Sequence, residues 1–271
     1  MTALTATQIE TPKGTSVHVY QGGSGPDVLF LHGAGGLLGA EDPFLLRLAE
    51  SFTVHAPELP GYGASTGEEL LEDMLDFTLH GWDCADALGL ERPHVIGHSM
   101  GGMIAAEMCA VDNRRAASLS LIAPAGVWLD EYPIADIFGV LPFELPGLLF
   151  HDPTAGAAVL TGGMDFSDPE ALVEFFIRNA RQLGTAGKML FPIPNRRLSK
   201  RTYRLTTPTL FVWGESDKLI PPVYAERWQE LVPSADLVTV AEAGHMAPIE
   251  QPDQVAAAIE KHIDGVSRAA T

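Results

Sequence analysis

Apolar residues recur along this chain in two rhythms. "SVHVYQGG" alternates like a half-exposed strand and stops at a glycine pair. "DVLFLHG", "PHVIGHS" and "AASLSLIAPAG" are unbroken apolar runs, the pattern of strands covered on both faces. "FTVHAPELPGYGAS" predicts a further strand that runs into Pro and Gly turn signals. Between these runs the period lengthens to that of helices. Glu68 to Leu88 is long, amphipathic and acidic at its start, which predicts a helix, and "GGMIAAEMCA" predicts a small-residue helix. After Gly126 the alternation stops. From Val127 to about Leu205 come proline-rich apolar pieces such as "IFGVLPFELPGLLF" and one predicted helix, "DPEALVEFFIRNARQL". Strand and helix then alternate again through "PTLFVWGE", "PVYAERWQELV", "ADLVTVAEAG" and "DQVAAAIEKHI".

Strands alternating with helices predict an α/β fold with a mostly parallel sheet and helices on both faces. No internal repeat is visible. The irregular middle is therefore expected to be a helical cap, residues 127–205, inserted into a core made of 1–126 and 206–271. Ligands of such sheets bind beyond the carboxyl ends of the strands, and the insertion leaves from one of those ends.

Composition narrows the picture. The chain has 271 residues, 46% of them hydrophobic, which is ample for a buried core. Its formal net charge is -18, so it would repel phosphate backbones and acidic lipid, and neither nucleic acid nor membrane is an expected partner. Cys84 and Cys109 lie among apolar neighbours in helical segments, without CxxC spacing, and read as buried reduced thiols. "MTALTATQIETPKG" lacks the basic start and apolar run of a signal peptide, and no apolar segment approaches the roughly 20 residues of a membrane span. The expectation is a soluble, cytoplasmic protein. His18, His55, His80, His94, His151 and His262 show no metal-ligand spacing.

The chemistry starts at Ser99. Gly97-His98-Ser99-Met100-Gly101 matches G-x-S-x-G and sits where a buried strand meets a helix. The tight turn lifts a hydroxyl above the sheet, and the glycines keep crowded neighbours from clashing. The helix that follows directs its N-terminus at developing negative charge. A serine hydroxyl needs a base, and His245 stands straight after a strand and a glycine. The imidazole needs an orienting carboxylate, and Asp217 lies just past the strand "TLFVWGE". Glu215, two residues away, and Asp130, past an earlier strand, are the competing acids. An oxyanion hole requires two N–H donors. Met100, directly after the nucleophile, and Ala34, in the loop after "DVLFLHG", are the candidates.

HGAGG, ELPGYGAS, GHSMGG, WGESDKLIPP and GHMAPIEQP together resemble the landmarks of α/β-hydrolase-fold enzymes, in that family's order, from Leu31 to Pro252. The resemblance implies a largely parallel eight-stranded sheet, a helical cap, a Ser99–His245–Asp217 triad and no cofactor or metal. Serine as nucleophile sets aside the haloalkane dehalogenases and the many epoxide hydrolases of the family that use Asp. The reading that follows is a carboxylesterase-like serine hydrolase of small to medium apolar or aryl esters. A carbon–carbon hydrolase of the meta-cleavage type is the alternative: SMGG resembles that group, but His98 and Met246 stand where those enzymes usually carry Asn and Trp. A low-turnover binding protein on the same fold is the third reading. Lactone, thioester and perhydrolysis chemistry would use the same machinery. The expected partner is a small-molecule substrate, and a homodimer through the cap is compatible with the sequence.

His98 and His32 are expected to support the site rather than to react. Phe138, Phe143, Phe150, Phe166, Phe175 and Phe176 are expected mostly to pack the cap on the core, with some lining an acyl pocket. Arg178, Arg181, Arg196, Arg197 and Arg201 are expected to be solvated or paired; the alternative sets one above the site to hold a substrate carboxylate.

Overall fold

The computed structural model describes residues 3–162, 164 and 167–269; Phe166 lies outside them. The strands are β1 (Thr5–Glu10), β2 (Ser16–Gly23), β3 (Asp27–Leu31), β4 (Thr53–Pro57), β5 (His94–His98), β6 (Ser118–Ile122), β7 (Thr209–Gly214) and β8 (Asp236–Val240). They form an eight-stranded sheet in the order β1-β2-β4-β3-β5-β6-β7-β8. β1 and β2 pair antiparallel, as do β2 and β4, and the pairings from β4 to β8 are parallel.

Every residue of β5, β6 and β7 is buried, as the unbroken apolar runs require of central parallel strands. Alternate residues serve opposite layers. Leu29, Leu31, Phe211 and Trp213 join a cluster with Phe77, Met103, Ile104 and Trp228. Val28, Phe30, Leu210 and Val212 join another with Phe44, Leu48, Val255 and Ile259. The first layer is built by α2 (Met74–Ala87), α3 (Met100–Val111) and α7 (Val223–Leu231). The second is built by α1 (Pro43–Leu48) and α9 (Pro252–Ala269), with the short α8 (Ala247–Glu250) before α9.

Between β6 and β7 run α4 (Leu145–Leu149), α5 (Pro153–Thr161) and α6 (Pro169–Leu190), and no strand among the described residues. Three helices begin at Asp-Pro pairs. Asp42, Asp152 and Asp168 each accept first-turn N–H groups of α1, α5 and α6, and the proline that follows needs no partner for an N–H it lacks.

The helix expected over Glu68–Leu88 is divided. Glu68–Leu70 is a single 3-10 turn, Leu71 is extended, and α2 starts after Asp73, whose carboxylate accepts from the N–H groups of Leu75 and Asp76. A capping carboxylate inside the amphipathic stretch outweighs its periodicity. Cys84 and Cys109 are buried free thiols. Among the described residues no helix is long and apolar enough to cross a membrane, and no cluster of three or more His, Cys, Asp or Glu could hold a metal ion.

Candidate active site

β3, β5, β7 and β8 all end toward one edge of the sheet, and the loops that follow them converge. β5 hands over to α3 in a single residue. Ser99 has φ 54° and ψ -114°, a conformation that costs a non-glycine residue about 1–3 kcal/mol. The surroundings impose it. Ser99 N–H donates to Ile122 C=O at 2.9 Å, and Ala125 N–H donates to Ser99 C=O at 3.0 Å. A methyl group on Gly97 would lie 2.4 Å from the Gly101 carbonyl oxygen, and one on Gly101 would lie 2.1 Å from that of Leu31. Strand, turn and helix therefore fit only with glycine at both positions.

The structure brings Ser99, His245 and Asp217 into one hydrogen-bonded line. His245 Nε2 is 2.8 Å from Ser99 Oγ, and His245 Nδ1 is 2.8 Å from Asp217 Oδ2. All three side chains are buried. Asp217 Oδ1 accepts from the N–H groups of Leu219 and Ile220 at 2.9 and 2.8 Å, which fixes the carboxylate plane. A carboxylate held this way only accepts, so the imidazole proton sits on Nδ1 and the Nε2 lone pair faces the serine hydroxyl. The competing acids are elsewhere. Asp130 accepts from the Trp128 indole N–H at 3.0 Å, and Glu215 is exposed.

Ala34 and Met100 flank the same spot. A Cβ on Gly33 would stand 3.3 Å from Ser99 Cβ, so the loop bearing Ala34 lies directly against the serine. Gly33 C=O accepts from Gly36 N–H at 3.1 Å and from His32 Nδ1–H at 2.7 Å. In a trans peptide C=O and N–H point opposite ways, so the Ala34 N–H is turned away from both of those donors. Met100 is the first residue of α3, so its N–H has no carbonyl one turn back. His32 is a brace: its Nε2 accepts from Leu59 N–H at 3.0 Å, and burial lowers its pKa. His98 is another. Its Nε2–H donates to His245 C=O at 2.8 Å, and burial pushes its pKa down to about 3, so it stays neutral.

Tyr62, within ELPGYGAS, carries no sequence signal of contact with the site beyond its aromatic ring between Pro-Gly and Gly, and the structure gives it a place. Its ring packs edge-on to His32 with centroids 4.6 Å apart, and its hydroxyl donates to Gln182 C=O of α6 at 3.2 Å. Burial raises the pKa of that phenol.

The segment between β6 and β7 covers this edge with apolar groups. Ile134, Ile137, Phe138, Leu148 and Leu149 pack against the cluster that contains Met100 and Met103. Phe150 is buried, Phe138 and Phe175 are half-buried, and Phe143 and Phe176 are exposed. Three of the five arginines have polar partners for their side chains. Arg181 makes a two-pronged pair with Glu68 at 2.6 and 2.9 Å and donates to Ser65 C=O at 2.7 Å. Arg201 pairs with buried Glu107 and donates to Arg196 C=O. Arg196 donates to Phe191 C=O at 2.6 Å, Arg178 lies over the Phe175 ring, and Arg197 is exposed. None of the five contacts the Ser99–His245 pair.

Residues 28–258 match the model of the alpha/beta hydrolase family. The chain is 30% identical over 259 residues to the dihydrolipoyllysine-residue acetyltransferase component of the acetoin cleaving system of Cupriavidus necator, covering 90% of this chain and 65% of that protein. It thus spans less than two thirds of that relative's length. It is 27% identical over 264 residues to the pimeloyl-(acyl-carrier protein) methyl ester esterase of Aeromonas hydrophila, covering 92% of this chain and 99% of the esterase. Among solved structures, the 2-hydroxy-6-oxo-6-phenylhexa-2,4-dienoate hydrolase of a Rhodococcus species superposes with a TM-score of 0.73 at 21% identity, over 96% of this chain and 99% of that one. At that identity the likeness is one of fold.

Proposed function

Because this chain belongs to the alpha/beta hydrolase family, we propose that it is a serine esterase cleaving neutral carboxylic esters with small to medium apolar or aryl groups. The observation that carries this reading is the unbroken line from Asp217 through His245 to Ser99, which ends on a strained serine. In the first half-reaction Ser99 Oγ attacks the ester carbonyl carbon while His245 Nε2 takes its proton. The N–H groups of Ala34 and Met100 hold the oxyanion. The intermediate collapses with loss of the alkoxide, which takes the proton back from His245 and leaves as the alcohol. Asp217 steadies the imidazolium between these transfers. In the second half-reaction a water molecule, its proton taken by His245, attacks the acyl-enzyme and releases the acid and Ser99.

The segment 127–205 acts as the cap that keeps this chemistry dry. Its apolar contribution, the commitment of Arg181, Arg196 and Arg201 to other partners and the exposure of Arg178 and Arg197 favour an uncharged substrate. A carbon–carbon hydrolase acting on a dienoate would need a cation for the substrate carboxylate, which is why the ester reading is preferred. A similar esterase acting on a methyl ester supports it.

The test is hydrolysis of p-nitrophenyl esters from acetate to decanoate by wild type and Ser99→Ala. Turnover is expected on the shorter chains and should fall at least about 10⁴-fold in the variant. Turnover that survives in Ser99→Ala, or is absent from wild type on every ester, overturns the reading, and the absence would favour a binding protein.

A further inference from the structure

The turn that carries His245 is held from outside the Ser99–His245–Asp217 line, and one carboxylate bonds both to it and to the insertion. Glu250, the last residue of α8, accepts the Gly244 N–H on Oε2 at 2.7 Å. Its Oε1 accepts the N–H groups of His151 at 2.7 Å and Asp152 at 3.3 Å. Gly244 directly precedes His245. His151 and Asp152 join α4 to α5 in the insertion. Two more bonds tie the same strips together. Met246 N–H donates to Leu149 C=O at 3.0 Å, and His151 Nδ1 lies 2.8 Å from Oγ of Ser216, the residue before Asp217. The strips run in direct contact, since a methyl group on Gly244 would stand 2.7 Å from the Leu149 oxygen. On the far side, His98 fixes the His245 carbonyl.

We propose that Glu250 is a positioning residue for the hydrolytic reaction: bonded at once to Gly244 and to the His151–Asp152 strip, it sets the direction of the His245 imidazole and ties that direction to the leading limb of the insertion. An ionised carboxylate suits the task because both oxygens only accept, and bonds from N–H groups to a charged acceptor are about twice as strong as neutral ones. His245 Nε2 must face Ser99 Oγ first and the leaving oxygen next. Its side chain can serve both only if the backbone beneath it stays fixed, and a misplacement near 1 Å costs on the order of 10²-fold in rate. This inference rests on the serine-hydrolase reading.

The experiment compares the full-length wild type, Glu250→Gln and Glu250→Ala by two readouts. One is kcat and KM on the best p-nitrophenyl ester. The other is the rate at which a fluorophosphonate probe modifies Ser99, followed by intact mass: an Oγ–P bond forms, fluoride leaves, and His245 takes the hydroxyl proton. Circular dichroism at the assay temperature reports folding. Gln keeps the size and one acceptor oxygen, whereas Ala keeps neither. Both kcat and the probe rate are expected to fall about tenfold in Glu250→Gln and about 10²-fold in Glu250→Ala. KM should stay within about threefold, because acylation and deacylation use the same imidazole and slow together. A folded Glu250→Gln with wild-type kcat and probe rate overturns the proposal, and that variant alone decides if Glu250→Ala does not fold. A wild type inert to both probe and esters overturns the serine-hydrolase reading and this proposal with it. A reactive wild type beside an unaffected variant overturns this proposal alone.

Discussion

Helices α3 and α6 border the same site and are held by opposite means. Of the 12 residues of α3 only Val111 escapes burial, whereas α6 buries four of its 22. α3 is fixed by contact on every side, and its one charged residue, Glu107, is neutralised by Arg201. α6 is fixed by its C-terminal turns and by two cations. Arg181 grips Glu68, and Lys188 Nζ donates to the carbonyl groups of Glu68 and Leu71 at 2.5 and 2.8 Å. The outer stripe of Val173, Phe176 and Ile177 stays exposed. Close packing gives one permitted geometry, as the strained Ser99 turn requires. Polar clamps on a half-exposed helix give a cover whose attachment can be altered without unfolding the core.

Substitutions can break this contrast. The largest effect is expected from Gly101→Ala on α3. Its methyl would meet the Leu31 and His32 carbonyl oxygens at 2.1 and 2.5 Å. Overpacking of that kind costs about 3 kcal/mol, which lowers Tm by roughly 6–12 °C in a chain of this size. The proposed ester hydrolysis should fall with it, since the elbow must open to make room. A calorimetric scan showing wild-type Tm would mean that α3 is not packed as described.

Arg181→Met on α6 removes the grip on Glu68 and Ser65. The pair is about one third exposed, so the stability cost is expected to be at most about 1 kcal/mol. The signal should appear in KM, raised several-fold with kcat little changed, and in faster proteolysis between residues 127 and 205. A kcat loss equal to that of an α3 variant would erase the distinction between the two helices.

Gly184→Ala is the smallest test and has the opposite sign. Nothing lies within 4 Å of a Cβ placed there, so the helix should gain about 0.5–1 kcal/mol from propensity alone. The same substitution that damages α3 should raise the Tm of the protein when made on α6. A fall in Tm would show that α6 is as tightly surrounded as α3.

The central half of the sheet was legible because its signals are local and redundant. β5, Ser99 and α3 follow from a buried apolar run, a serine between glycines and a small-residue helix, all within "PHVIGHSMGGMIAAEMCA". Asp217 and His245 were legible because each follows a strand end. β1 is not legible: Thr5–Glu10 is an edge strand whose residues are nearly all exposed, so burial leaves little pattern in it. α1 and α5 leave only the Asp42-Pro43 and Asp152-Pro153 start signals in the sequence, because helices of 6 and 9 residues are too short for a clear apolar period. The arginines of the insertion were visible as cations, but their partners were not. Glu68 and Glu107 lie 113 and 94 residues away from Arg181 and Arg201 along the chain, and a charge pattern holds no information about contacts at such range. Glu250 lies within GHMAPIEQP, and only the folded backbone reveals which N–H groups it faces.

The Ser99 turn also bears on how activity can be used. Its geometry exists only where segments distant in sequence have met: Leu31 against Gly101, Ile122 accepting from the serine N–H, and Ala125 donating to its carbonyl. Chain that has regained its helices but not these junctions would relax the turn out of its costly conformation, since nothing else holds it there. Recovered turnover is therefore a stricter gauge of complete assembly than recovered helix content. In refolding, the last signal to return should be the catalytic one.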